Sequence, residues 1–402
     1  MIGMLHQLEI PNSLLRDIEN KECIVFLGAG ASTEGFSFYT GENLIDVLAE
    51  KCKYPKRSVH SLPKVAQYFC DTLDGGLKGR LLREIRGYID SYMEYGELNN
   101  LVTEVNRLIA KIGFFRTIIT TNWDVFMERE LNVLPIVRDA DLVYWDDSKR
   151  QVIKMHDCIS QPETMVVTEN DYNDFIQQRL DCPINNKIKD LMATKTFLFL
   201  GYSLRDSSFQ IIHEGILKRM GRFSRSSYAV LKDPTAHDSA SMRKRGIIVI
   251  NSNAYRFLRD LHTIFVKKNV YFGDEFHNKV IKLYEVVSKA HFSTGQNDEV
   301  GFLSMMYQDG LQHSLQDLYY GIPNGNPKSH YRERLQLFLK KLRVQKRKGN
   351  KTEISYLTGR VKALEWALGE MGDLKIYCNL SSKPIDKNNF LYLRKTMKNK
   401  QE

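Results

Sequence analysis

An α/β fold with a mostly parallel sheet follows from three observations in the sequence. Strand-length apolar runs alternate with segments whose apolar residues recur at helical spacing. Glycine or a polar residue (Gly28, Asn122, His156, Gly201) stands at the end of four of those runs. The first run, Cys23 to Leu27, stops abruptly at Gly28-Ala29-Gly30. Parallel strands need crossover connections, so alternation of this kind implies a sheet covered on both faces, with ligands beyond the carboxyl ends of its strands. The predicted class is a Rossmann-like parallel sheet with a helical insertion and a C-terminal, mostly helical region.

In chain order, residues 5 to 20 read as a helix or capped turn, with Asn12 or Ser13 as N-cap, leading into a buried strand rich in Ile, Val and Phe. Gly28 and Gly30 can adopt backbone angles closed to other residues and bring no Cβ toward a ligand. Amide N–H groups and the Ser32 or Thr33 hydroxyl can then approach phosphate oxygens. No third glycine completes the dinucleotide fingerprint, so by itself the turn is equally an ordinary strand-to-helix connection. A loop over Gly35 to Tyr39 is placed to cover the ligand, and a helix begins at Gly41. Between Leu62 and Ile112 the groups Val65-Ala66-Phe69, Leu81-Leu82-Ile85-Ile89 and Leu101-Val105-Leu108-Ile109 keep helical spacing. One crossover needs one helix, so several in succession predict an inserted helical subdomain over about residues 41–114.

From Arg116 the run TIITT predicts a buried strand ending in Asn122-Trp123-Asp124, with further strands at Pro135 to Val137 and Gln151 to His156. Helices over Glu169 to Ile176 and Ile184 to Met192 precede a strand over Thr196 to Leu200. A helix over Ser207 to Met220 and strands over Ser227 to Leu231 and Gly246 to Ile250 follow. Beyond about residue 275 the pattern is helical, with amphipathic segments at Tyr331 to Arg347 and Ile354 to Leu368. A chain of 402 residues with 43% hydrophobic content is long enough for two domains, drawn here as 1–275 and 276–402.

The N-terminus lacks a basic segment followed by an apolar core, and the apolar runs are far short of a membrane span. Six cysteines without a C-x-x-C pair suggest reduced thiols in a cytoplasmic protein, with neither a zinc ribbon nor a disulfide framework. The ten histidines show no metal-binding spacing, so no metal is expected. The net charge of +10 favours acidic partners such as nucleotides or nucleic acid. Lys340 to Lys351, KKLRVQKRKGNK, is a basic patch suited to a nucleic-acid contact. No aromatic residue interleaves it, and a solvated helix face is the better reading of the run alone.

Taken together, GAGAS at Gly28 to Ser32, TTNWD at Thr120 to Asp124, KMHD at Lys154 to Asp157 and GYSLRD at Gly201 to Asp206 resemble the sirtuin family, in its bacterial branch that consumes NAD during antiphage defence. LPKVAQYF at Leu62 to Phe69 and TENDY at Thr168 to Tyr172 also resemble that branch, so the likeness spans roughly residues 15 to 270. Two departures bear on the activity: the four-cysteine zinc module of protein-deacylating sirtuins is missing, and Asp157 rather than glycine follows His156. The resemblance therefore implies NAD cleavage rather than peptide deacylation. It implies a homo-oligomer and, since no long sensor follows the domain, a two-component assembly with a HerA-type hexameric ATPase.

On that reading NAD is the substrate, and each candidate residue has a role and a plain alternative. Gly28, Ala29, Gly30, Ser32 and Thr33 bind pyrophosphate, and Gly201 with Ser203 forms a second donor-rich turn near the adenosine half. Asn122, whose neutral amide both donates and accepts, holds a ribose hydroxyl or the attacking water; His156 takes a proton near neutral pH. Asp124 orients neighbours or a ribose hydroxyl. A strand-end Asn is otherwise a helix cap, a lone His a satisfied core residue, and Asp206 a cap for the helix at Ser207. Gly30→Val is expected to weaken NAD binding by filling the phosphate approach. The rival from another class is a module that binds NAD or ADP-ribose without turnover and scaffolds an ATPase or nuclease; ADP-ribosyl transfer or deacylation is a third reading.

Overall fold

The computed structural model describes residues 8–31, 41–55, 61–94, 104–179, 181–202, 207–221, 224–293, 299–322 and 324–369. The chain forms two compact units, Met1–His262 and Thr263–Glu402. The loop over Gly35 to Tyr39 and the candidates Ser32, Thr33, Ser203 and Asp206 lie outside the described residues.

In the first unit, strands β1 (Cys23–Leu27), β2 (Thr117–Thr120), β3 (Gln151–Lys154), β4 (Thr196–Leu200), β5 (Ser227–Leu231) and β6 (Ile247–Asn251) form a six-stranded sheet in the order β3-β2-β1-β4-β5-β6. Every pairing is parallel. Strands buried on both faces need no polar alternation, which is why β1 is apolar throughout and β4 from Phe197 onward, with every residue of both strands buried. Edge strand β6 buries only Ile247 and Ile250. The chain leaves β1 toward β2 and, after β3, returns to the other side of β1 to lay down β4. The switch point of the sheet, where such folds open a crevice, therefore lies between β1 and β4. The register aligns Leu27 with both Thr120 and Leu200, and Thr120 with Lys154, so four strands end on one rim.

Helices of this unit are α1 (Asn12–Glu19), α2 (Gly41–Lys51), α3 (Leu62–Leu73), α4 (Gly79–Glu94), α5 (Glu104–Lys111), α6 (Phe126–Leu131), α7 (Glu169–Asp174), α8 (Pro183–Thr194), α9 (Ser207–Met220) and α10 (Ala236–Lys244), and α11 (Ala254–Lys267) begins in it and ends in the second unit. Helices α2, α3 and α4 have a core of their own, with Leu48, Val65, Phe69 and Ile85 fully buried. Ile159, Met165 and Val167, from the segment after β3, complete it.

Three expectations are corrected in detail. Residues 135–137 make a single bridge, Ile136 to Ile153, rather than a strand. Pro135 has no N–H to donate, and the Asp141 carboxylate accepts from the Val137 and Arg138 amides at 3.0 and 2.8 Å, turning the chain away from the sheet. Strand β3 stops at Lys154 instead of His156, because Asp157 takes a left-handed conformation (φ 68°). Helix α7 passes into a wider π turn, Phe175–Arg179, instead of ending at Ile176. Cys23, Cys52, Cys70, Cys158 and Cys182 are free thiols. Among the described residues no helix is long and apolar enough to cross a membrane.

The second unit contains α12 (Asp274–Ser293), α13 (Glu299–Gly321), α14 (Lys328–Lys348) and α15 (Lys351–Ala367) around Val280, Leu315, Leu318, Tyr331 and Leu364. Helices α13 and α15 cross in direct main-chain contact. A Cβ on Gly310 would stand 2.0 Å from the Tyr356 carbonyl oxygen, and one on Gly359 would stand 2.1 Å from that of Tyr307. Beside the crossing, the buried Arg360 donates through Nε to Ser314 Oγ (2.9 Å) and pairs through Nη2 with Asp317, which also holds Arg334 at 2.7 Å.

Candidate active site

The rim begins with two interlocked turns. The Gly28 amide donates to the Leu200 carbonyl at 3.0 Å and the Gly30 amide to the Gly201 carbonyl at 2.9 Å. Gly201 itself is left-handed (φ 59°), and a Cβ on it would lie 2.1 Å from the Ala31 nitrogen. A Cβ on Gly28 or Gly30 would lie 2.5 or 2.8 Å from the Gly201 oxygen. These glycines are thus required because two backbones touch. The expectation that the Gly28 and Gly30 amides approach phosphate is corrected: both are taken up by the neighbouring turn. Ala29 and Gly30 are exposed, and the Ala29 amide has no acceptor among the described residues. Gly30→Val therefore acts first by driving the turns apart. Gly201→Ala combines a clash with backbone strain and is expected to cost about 2–4 kcal/mol. Thermal unfolding checks this; an unchanged transition would mean that the turns separate freely.

Asn122 is 7% exposed and tied to the same turn. The Thr120 hydroxyl donates to the Leu27 carbonyl (2.9 Å) and accepts from the Asn122 amide (3.0 Å), while Asn122 Nδ2 donates to the Gly28 carbonyl (3.2 Å). Asp124 accepts from the Phe126 amide at 3.1 Å, an Asx-type turn that leads into α6. Trp123 packs against the core of the inserted helices, and its carbonyl accepts from the Ile159 amide at 2.9 Å.

Two buried residues that sequence reasoning did not single out lie beneath this segment. Lys154 is 1% exposed, and its ammonium stands 3.0 Å from Glu128 Oε1, itself on a residue 7% exposed. The same ammonium donates to the carbonyls of Asn122 (3.2 Å) and Asp124. Burial alone would pull its pKa down. The Glu128 carboxylate, aided by Asp124, outweighs that and holds Lys154 above the ordinary lysine range. Burial pushes the Glu128 carboxyl up, against the pull of Lys154. One buried cation thus grips both carbonyls flanking Trp123. The available signal was Lys154 standing in an otherwise apolar run, since a buried ammonium needs a partner.

His156 is 3% exposed, two residues beyond the end of β3. Its ring meets Tyr172 and Phe175 edge-on, with centroids 5.2 and 5.8 Å away, and the Tyr172 hydroxyl is 3.4 Å from Nδ1. Tyr172 is positioned by a capping box. Thr168 Oγ1 accepts from the Asp171 amide (3.2 Å), and Asp171 accepts from the Val167 and Thr168 amides (3.0 and 2.8 Å). Lys78, at the start of α4, reaches Asp171 at 2.8 Å. Although burial opposes it, this cation and the two amides hold the Asp171 carboxyl below the ordinary range. The inserted helices thereby brace the residues around His156.

Gly28, Asn122, His156 and Gly201 all stand one or two residues past strand ends that are aligned in register. No group of His, Cys, Asp and Glu among the described residues could hold a metal ion.

The chain is 25% identical over 223 residues to the NAD(+) hydrolase ThsA of Bacillus cereus (strain MSX-D12), an alignment covering 54% of this chain and 44% of the relative. It is 25% identical over 224 residues to the NAD(+) hydrolase ThsA of Cytobacillus dafuensis (54% and 42% covered). It is 26% identical over 221 residues to that of Enterococcus faecium (54% and 44%). The chain spans less than half the length of these curated relatives. Residues 116–250, from the approach to β2 through most of β6, match the family model of the SIR2-like domain.

Proposed function

We propose that the first unit is an NAD hydrolase, which cleaves the nicotinamide–ribose bond to give nicotinamide and ADP-ribose. The observation that carries this is the single rim on which Gly28, Asn122, His156 and Gly201 follow four aligned strand ends. The NAD(+) hydrolases among the relatives support it.

In such a hydrolysis the bonding pair leaves with nicotinamide and neutralises its pyridinium. The ribose passes through an oxocarbenium-like state, and water adds and releases a proton. Asn122 holds the ribose hydroxyl or the water without placing charge beside the developing cation. His156 receives the proton, with its ring oriented by Tyr172 and Phe175. The Ala29 amide, with Ser32 and Thr33, binds pyrophosphate at the turn shaped by Gly28 and Gly30. Gly201 and Ser203 serve the adenosine half, and Asp124 serves a ribose hydroxyl while it accepts from the Phe126 amide.

The biological setting we propose is antiphage defence by NAD depletion in the cytoplasm. The enzyme works as a homo-oligomer with a HerA-type hexameric ATPase, and the region from about residue 276 serves assembly. Restraint by a partner follows from the activity, because unregulated hydrolysis would exhaust the cell's own NAD.

NAD loss by the purified chain, alone and with a HerA-type ATPase, tests this against an Asn122→Ala control. Asn122→Ala is expected to lower turnover by about 10²- to 10³-fold, the range for one positioned polar group, with NAD affinity nearly unchanged. Equal turnover in the variant would remove Asn122 from the chemistry. NAD binding without loss in any mixture would leave the non-hydrolytic scaffold.

A further inference from the structure

We infer that the outward face of α14 binds the phosphate backbone of duplex nucleic acid. Helix α14 buries Tyr331, Leu335, Phe338 and Leu342 in the core of the second unit. At 3.6 residues per turn these four share one side, and Lys340, Lys341, Arg343, Arg347 and Lys348 fan across the other, with Lys346 at its margin. All six cations are exposed, and none pairs with an acid among the described residues. By contrast, Arg334 of the same helix is paired with Asp317, and Lys351 with Glu299.

From Lys340 to Lys351, seven of twelve residues are Lys or Arg and none is Asp or Glu, against a net charge of +10 for all 402 residues. The rest of the chain is thus close to neutral, and its excess charge is concentrated on one helix end. Compensation of the helix dipole accounts for part of this, since Lys346, Arg347 and Lys348 occupy the last turn. It does not account for Lys340, Lys341 and Arg343, because the dipole's reach is confined to that turn.

The surroundings select among polyanions. A membrane-surface helix needs a free apolar face, and on α14 that face is buried; only Leu337 (48% exposed) and Val344 (42%) remain outside. Single strands are held by stacking on aromatic rings, and Phe338 and Tyr331 are both buried. An acidic protein surface would need apolar anchors at the centre of the contact. A duplex presents two rows of phosphates, which suits cations splayed to both sides of one helix and asks nothing of base identity.

This inference is independent of the NAD chemistry, because binding is read directly with the NAD site intact. The test is fluorescence anisotropy of a labelled 30-base-pair DNA duplex of arbitrary sequence with the full chain, at about 50 and 200 mM salt. The wild type should bind with affinity falling steeply as salt rises. The quadruple variant Lys340→Glu, Lys341→Glu, Arg347→Glu, Lys348→Glu should bind at least about tenfold more weakly and with a shallower salt dependence. A control with the same charge change in the first unit (Lys21→Glu, Lys53→Glu, Lys232→Glu, Lys244→Glu) should stay within about threefold of wild type. The matching Lys/Arg→Gln quadruple variant guards against misfolding, and should weaken binding with an unchanged melting transition. No duplex binding at the lower salt, equal weakening by the control, or tighter binding to phosphatidylserine vesicles or polyglutamate than to the duplex would overturn the inference.

Discussion

Lys154→Met should destabilise the first unit by about 3–5 kcal/mol and abolish NAD turnover, because it strands the Glu128 carboxylate in a site 7% exposed. It also removes the donor that the Asn122 and Asp124 carbonyls share. Glu128→Gln should cost less, since the amide oxygen still accepts from the ammonium. The informative variant combines Lys154→Met with Glu128→Leu. With neither charge present, no ion is left buried alone, and much of the lost stability should return. Turnover should not return, because no ammonium then holds the backbone on either side of Trp123. Urea titration and NAD-loss assays on the two single variants and the double make the comparison. Stability costs that simply add would mean that the two side chains act independently in spite of their 3.0 Å separation. Recovery of turnover together with stability would mean that the pair is only structural.

The second large effect concerns the crossing of α13 and α15. In an exposed helix, replacing glycine with alanine is favourable by up to about 1 kcal/mol. Gly215 on α9, with nothing within 4 Å of its missing Cβ, is expected to follow that rule. At Gly310 and Gly359 the sign should reverse. A Cβ there meets carbonyl oxygens at 2.0 and 2.1 Å, so the helices must separate, and Ser314, Arg360 and Asp317 lose their alignment. Gly310→Ala and Gly359→Ala should each cost about 3 kcal/mol or more, and valine more still. Hydrogen exchange resolved by segment would show the loss of protection in α13 and α15. Stabilisation at either crossing position would show that the two backbones are not in contact.

Much of this architecture was legible because parallel strands buried on both faces leave a coarse record. Runs such as CIVFL and TFLFL can hardly be anything else in an alternating chain, and a strand that must end at a ligand crevice ends in Gly, Asn or His. Helix α10 left no such record: it buries no residue, so it has no apolar period. Its only mark is the Thr235 and Asp238 capping box. The misread strand at 135–137 has strand-forming Ile136 and Val137. It was undone by Asp141, a carboxylate acting from four residues away. Within the site, the residues nearest the strand ends could be named, whereas the reason for the glycines could not. The contact that demands them lies between residues 28–31 and residue 201, and no local pattern records it. Lys154 and Glu128 were hidden in the same way, each unremarkable until the fold brings them together.

The interlocked turns also bear on when the site can form during synthesis. Because β4 is laid against β1 only after the inserted helices, β2 and β3 have been made, the amides of Gly28 and Gly30 find their acceptors more than 170 residues later in the chain. A growing chain that has not yet exposed Leu200 and Gly201 outside the ribosome lacks one wall of the crevice, whatever else has folded. Closure of so long a loop is also slow compared with local helix formation. The fold itself thus delays assembly of the candidate site until β4 has been translated, and no product ending before β4 can complete it.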